Sequence, residues 1–171
     1  MANISIYLTN LGKYNEGELV GEWVKLPVSD EDLKAVFERI GINEHYEEFF
    51  ITDYDSDIDG FKCGEYDSIE DLNEIAEAFE DAEPDQIAAA LYFSSSLEEA
   101  VEILEDVCYI TSCGWDTEEE AIGYYYAKEC GCLDIPENLE SYFNYEAYGR
   151  DIMLEGQFYC TESGDIYGLC A

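Results

Sequence analysis

In 171 residues the chain sets 42 acids against 7 bases, a formal net charge of -35, while 47% of it is hydrophobic and 15% aromatic. That apolar content excludes a disordered acidic segment, which would lack the material for a core. A pI near 4.1 excludes unaided approach to nucleic acid or an anionic membrane, both polyanions, and leaves basic proteins and cations as the attractive partners.

Residues 4–9 (ISIYLT) and 19–26 (LVGEWVKL) read as strands joined by the Gly- and Asn-bearing loop LGKYNEGE. Four helix starts follow, each a Ser or Thr with an acid three residues on: Ser29/Asp32, Ser68/Asp71, Ser96/Glu99 and Thr117/Glu120. The first helix is expected to end near Ile40, before Gly41. Next come the strand EEFFIT (47–52) and the loop DYDSDIDG, then helices over 68–82, 85–93 and from Ser96. VCYIT (107–111) reads as a strand. The Thr117 helix is expected to stop near Gly131, and a short helix to start around Pro136. QFYCTESGDIYGL reads as a hairpin turning at Glu162–Asp165. Together these predict an α+β chain of three small units: an N-terminal unit (1–61), a central acidic helical unit (62–105) and a C-terminal unit (106–171).

The charge belongs to no tail. Acids outnumber bases 14 to 4 over residues 1–61, 15 to 1 over 62–110 and 13 to 2 over 111–171. In the helix from Ser68, the buried stripe Ile69, Leu72, Ile75, Ala76 and Phe79 leaves Glu70, Asp71, Glu74, Glu77, Glu80 and Asp81 outward. The helix at 97–106 repeats the plan. Leu97, Ala100, Val101 and Leu104 face in, while Glu98, Glu99, Glu102, Glu105 and Asp106 face out. Asp116, Glu118, Glu119 and Glu120 continue the array. Like charges three or four residues apart each cost a few tenths of a kcal/mol, where an ordinary surface helix would alternate Glu with Lys. Solubility saturates at far lower charge. Adaptation to high salt stays open, but the stronger reading is a folded protein that presents itself as a polyanion. On duplex DNA, 35 charges occupy about 60 Å of axis. At ordinary protein density this chain drawn to that length would be a rod roughly 20–25 Å across.

Other constellations are weaker. Asp55, Asp57, Asp59 and Gly60 match the opening of a calcium loop, but its last ligand position falls on Tyr66. An acidic calcium-dependent protein-binding module is therefore the rival reading. Cys130-Gly-Cys132 lacks a second pair for zinc, no cofactor fingerprint occurs, and nothing marks a catalytic couple, so a non-enzyme is expected. Without an export signal or a membrane span, the chain reads as cytoplasmic. Its seven cysteines read as reduced thiols, mostly small core residues. Tyr124, Tyr125 and Tyr126 cannot share one helix face, so one or two are expected in the core and another exposed. The apolar run 107–115 reads as a core strand or a self-association surface, with Val107, Tyr109, Ile110 and Trp115 as interface candidates.

Four segments resemble the ArdA antirestriction proteins: IYLTNLGKYNEGELVGEWVKLP (6–27), EHYEEFFITDYD (44–55), SIEDLNEIAE (68–77) and EEAIGYYYAKECGCLDIPENLESYFNYEAYGRDIMLEGQF (119–158). The resemblance covers nearly the whole chain. It implies a DNA mimic carried by mobile elements or phages, which occupies the DNA-binding site of type I restriction–modification enzymes without itself binding nucleic acid. It also implies three α/β subdomains in a line, a curved acidic cylinder, dimerisation through the C-terminal part, and an antirestriction motif around Leu104–Trp115.

Overall fold

Alternation of Ile4, Ile6 and Leu8 with Ser5 and Tyr7 makes the N-terminal segment a strand with one buried face. The computed structural model describes residues 3–111 and 114–169, and this strand is its β1 (Ile4–Asn10). At its end Asn10 is fully buried and turns the chain into a short helix, α1 (Leu11–Asn15), where a loop was expected. The Asn10 carboxamide accepts from the Lys13 N–H at 3.0 Å and donates to the Ile40 and Gly41 carbonyls, each at 3.2 Å. One buried amide thus satisfies three backbone groups from two separate segments.

β1 is the middle strand of an antiparallel sheet, between β2 (Gly21–Leu26) and β3 (Phe49–Ser56). Between them, α2 (Asp30–Ile40) buries Val36 and Ile40 and ends on Gly41 in the left-handed conformation, φ 81°. β3 runs four residues past its expected end at Thr52. Opposite Leu8 and Tyr7 stand Ile51 and Asp53, so the register slips past Thr52, whose hydroxyl shares a 2.7 Å hydrogen bond with Thr9. Asp53 and Asp55 are therefore strand residues rather than loop residues.

All four expected caps form. Ser29, Ser68, Ser96 and Thr117 accept from the amides of Asp32, Asp71, Glu99 and Glu120 at 3.1–3.3 Å. They start α2, α3 (Ile69–Phe79), α5 (Leu97–Ile103) and α6 (Glu118–Tyr124), while Pro84 starts α4 (Pro84–Phe93). A 3₁₀ turn, Leu104–Asp106, leads from α5 into β4 (Val107–Thr111). After α6 the helix widens into a π turn over Tyr125–Glu129, and α7 (Glu137–Glu140) follows. The sequence reading missed α8 (Tyr145–Glu155), which is capped by Asn144 onto the Ala147 amide at 3.0 Å. β5 (Phe158–Cys160) and β6 (Ile166–Leu169) form the expected hairpin and complete a second antiparallel sheet of order β4-β6-β5. Eight helices and two three-stranded antiparallel sheets among the described residues make the fold α+β.

Two apolar cores sit on either side of the second sheet. The larger gathers the inner faces of β1, β2 and β3 with α2 to α5, Val107 and Tyr167. The smaller joins Ile110 and Ile166 to Ala121 and Ile122 of α6. Neighbours Ile166 and Tyr167 point to opposite cores, as adjacent strand residues must. On the far side of the smaller core, α6 meets α8 at two glycines. A Cβ at Gly149 would collide with the Glu119 carbonyl, and one at Gly123 with the Tyr145 carbonyl.

Two expectations fail here. Tyr124, Tyr125 and Tyr126 are all half-buried, because α8 and the second sheet cover both sides of the π turn. The cysteines are not mostly core thiols: Cys63 packs against the larger core and Cys160 against the smaller. Cys63 and Cys160 are half-buried, Cys130 and Cys132 are exposed, and Cys108 is disulfide-bonded. Cys113 and Cys170 lie outside the described residues. No helix among the described residues is long and apolar enough to cross a membrane.

Candidate functional site

The five apolar residues predicted for α3 are the five it buries. That choice dictates the rest of the helix: Glu70, Asp71, Glu74 and Glu77 stand exposed, with Glu80 and Asp81 just past its end. On α5, Ala100 is buried and Leu97 and Val101 are partly so, leaving Glu98, Glu99 and Glu102 exposed, with Glu105 and Asp106 following on the 3₁₀ turn. The fold brings the two helices together. Their N-terminal ends open on one cleft of about 250 Å³, lined by Ser68, Asp71, Ser96, Glu98 and Lys62 among others. Two carboxylate rows therefore set out from a common end, where the positive ends of the helix dipoles favour negative charge.

Hydrogen bonding favours the charged form of two of these carboxylates. Glu98 is held below the usual carboxylate range by its own backbone N–H and by the Ser96 hydroxyl. Glu99 is lowered by the Ser95 hydroxyl and N–H, both donating to one carboxylate oxygen, at 2.6 and 2.7 Å. Counter-charge is scarce. Lys62 is the one base between residues 62 and 110. The ion pairs among the described residues are Arg39–Glu22 and Lys128–Glu140, each at 2.8 Å and neither on α3 or α5.

Two amides that the sequence reading passed over fix these helices in place. Asn73 accepts from the Val28 N–H and donates to the Val28 carbonyl, both at 2.9 Å, clamping α3 to the segment after β2. Gln86 donates to the Leu104 and Val107 carbonyls at 3.0 and 3.3 Å, holding α4 against the end of α5. Asn73 was detectable as an uncharged amide on a helix whose other polar positions are acids.

The remaining predicted residues sit elsewhere. Asp116, Glu118 and Glu119 line a separate cleft of about 410 Å³ with Trp115, at the start of α6. Asp116 and Glu118 are exposed, but Glu119 and Glu120 are half-buried. Glu118 also hydrogen-bonds the Cys160 thiol. Of the interface candidates, Val107 and Ile110 are each 4% exposed, because one belongs to each internal core. Tyr109 is 51% exposed and Trp115 38%. Asp55, Asp57 and Asp59 do not converge as a calcium loop would require. Asp55 lies in β3, Asp57 accepts from the Asn3 N–H at 2.7 Å, and Asp59 accepts from the Tyr159 hydroxyl at 3.0 Å. Among the described residues no three His, Cys, Asp or Glu side chains group to hold a metal ion.

A family model described as antirestriction protein (ArdA) matches residues 6–167. The chain belongs to the ArdA antirestriction family. No curated protein matches it. The matched span takes in both glycines of the α6–α8 crossing and the Asn10 junction, as well as the acidic helices. Family membership thus covers the parts that build the fold together with those that charge its surface.

Proposed function

We propose that this antirestriction-family protein is a DNA mimic. It is a non-catalytic inhibitor whose carboxylates stand in for phosphates in the DNA-binding cleft of a type I restriction–modification enzyme. The observation that carries the reading is the exposed double row on α3, α5 and the residues that directly follow each, eleven acids with no ion pair among the described residues. A cleft built for DNA draws much of its affinity from Lys and Arg on phosphates, so a rigid array of carboxylates captures it without offering a base. The clamps at Asn73 and Gln86 support rigidity, and the lowered Glu98 and Glu99 support full charge. In this reading the three units over 1–61, 62–105 and 106–171 extend the charged surface along the chain, and a second copy continues it.

Titration of the protein into a labelled DNA–enzyme complex tests the mechanism. Displacement is expected at low salt and should weaken steeply as salt rises. A complex that survives excess protein at low salt would refute the mimicry.

For the dimer, the exposed pair Tyr109 and Trp115 replaces the original four candidates, since Val107 and Ile110 are taken up inside the chain. Tyr109→Glu or Trp115→Glu is expected to halve the solution mass measured by light scattering. An unchanged mass removes that residue from the interface.

A further inference from the structure

The free thiols among the described residues are of two kinds. Cys63 and Cys160 are half-buried. Burial, with Asp67 adding to it, pushes the Cys63 thiol up to about 11, and burial with a hydrogen bond to Glu118 pushes Cys160 up to about 12. Near neutral pH such groups supply almost no thiolate, the form that attacks a disulfide. Cys130 and Cys132 are both exposed, with only Gly131 between them.

The helical segment ends in a turn at these two residues. The Cys130 N–H donates to the Tyr125 carbonyl at 2.9 Å, and the Cys132 N–H to the Tyr126 carbonyl at 3.2 Å. Gly131 between them takes φ 64°. These two bonds are wider than the closure of an α-helix end, continuing the π turn, and the left-handed glycine reverses the chain between the two cysteines. The Cys130 side chain hydrogen-bonds the Tyr125 hydroxyl. Tyr126 and Tyr148 are each raised by burial and further by Cys130 and Cys132. Two residues along a chain span at most about 7 Å, and a turn shortens that into the Cα separation a disulfide bridges.

We propose that Cys130 and Cys132 form a surface dithiol that exchanges with small-molecule disulfides, closing reversibly to a Cys130–Cys132 bond. One cysteine thiolate attacks a sulfur of RSSR and expels RS⁻, leaving a mixed disulfide. The other thiolate then attacks the protein sulfur of that bond and expels the second RS⁻. Two protein S–H bonds become one S–S bond, and two RSH leave with the two protons. The protein is oxidised by two electrons and the small disulfide reduced by two. The ring closed across one glycine is small and exposed, which makes the bond labile rather than structural.

The test treats the native full-length protein with hydroxyethyl disulfide, a neutral reagent that the protein's charge does not repel. Remaining thiols are alkylated under denaturant, and the unreduced digest is mapped by mass. The expected result is loss of two hydrogens from the peptide holding residues 130–132, with Cys63 and Cys160 recovered as alkylated thiols and dithiothreitol reversing the change. Cys132→Ser is expected to retain one hydroxyethyl adduct on Cys130 instead. Separate adducts on Cys130 and Cys132 in the parent, or reaction at Cys63 or Cys160 while that pair stays free, overturns the proposal.

Discussion

Replacing Glu70, Glu74, Glu77, Glu98, Glu102 and Glu105 together by glutamine will weaken displacement of DNA from a type I restriction–modification enzyme by roughly a hundredfold, whereas Glu74→Gln alone will cost less than about fivefold. Each exposed charge contact is worth about 0–1 kcal/mol, so six at the midpoint sum to about 3 kcal/mol, or two factors of ten. The salt dependence of displacement should flatten in parallel, because fewer counterions are exchanged. Stability moves the other way. Glu70 and Glu74 on α3, and Glu98 and Glu102 on α5, are like charges four residues apart, and each such pair costs a few tenths of a kcal/mol that glutamine relieves. A thermal melt no lower than the parent's would therefore separate lost binding from lost fold. If the folded sextuple variant displaces DNA as well as the parent, mimicry through these two helices is wrong. Complete loss on one substitution would point instead to a single essential group, as in an enzyme.

The sequence announced the acidic helices clearly because two local signals coincide there. The Ser-x-x-acid caps set where α3 and α5 begin, and the apolar stripe sets which side faces out, so the exposed carboxylates follow by elimination. Signals that depend on distant partners were not legible. Asn10 looks like a loop residue until the Ile40 and Gly41 carbonyls arrive from thirty residues away to be satisfied by it. Val107 and Ile110 fit a core strand and an interface equally well from sequence, and only the two cores flanking the second sheet decide for the core strand. The acids Asp55, Asp57 and Asp59 have the spacing of a cation loop. A register slip at Thr52 carries β3 through Asp55, and outside bonds to Asn3 and Tyr159 then draw the other two apart. α8 escaped notice because it carries a glycine at mid-helix, and in an isolated helix that costs about 1 kcal/mol relative to alanine.

That glycine carries the second large effect: Gly149→Ala will destabilise the protein, although helix propensity alone predicts a gain of about 1 kcal/mol. The new methyl group would meet the Glu119 carbonyl, and the matching position Gly123 faces the Tyr145 carbonyl and the Gly149 amide. These neighbours are backbone atoms of the facing helix, so no side chain can rotate away. α6 and α8 must part, and the gap spreads to Ala121, Ile122, Ile152 and Met153, which pack between them. Overpacking costs typically about 1–3 kcal/mol, and an unyielding backbone places this case at the upper end, for a net loss of about 2 kcal/mol. In a chain of this size that lowers the melting temperature by roughly 4–8 °C. One separation accommodates both methyl groups, so Gly123→Ala/Gly149→Ala is expected to lose clearly less than the sum of its singles. Strict additivity would show that the two sites do not share one helix spacing. A melting temperature raised by Gly149→Ala would show that α6 and α8 are not in backbone contact at all.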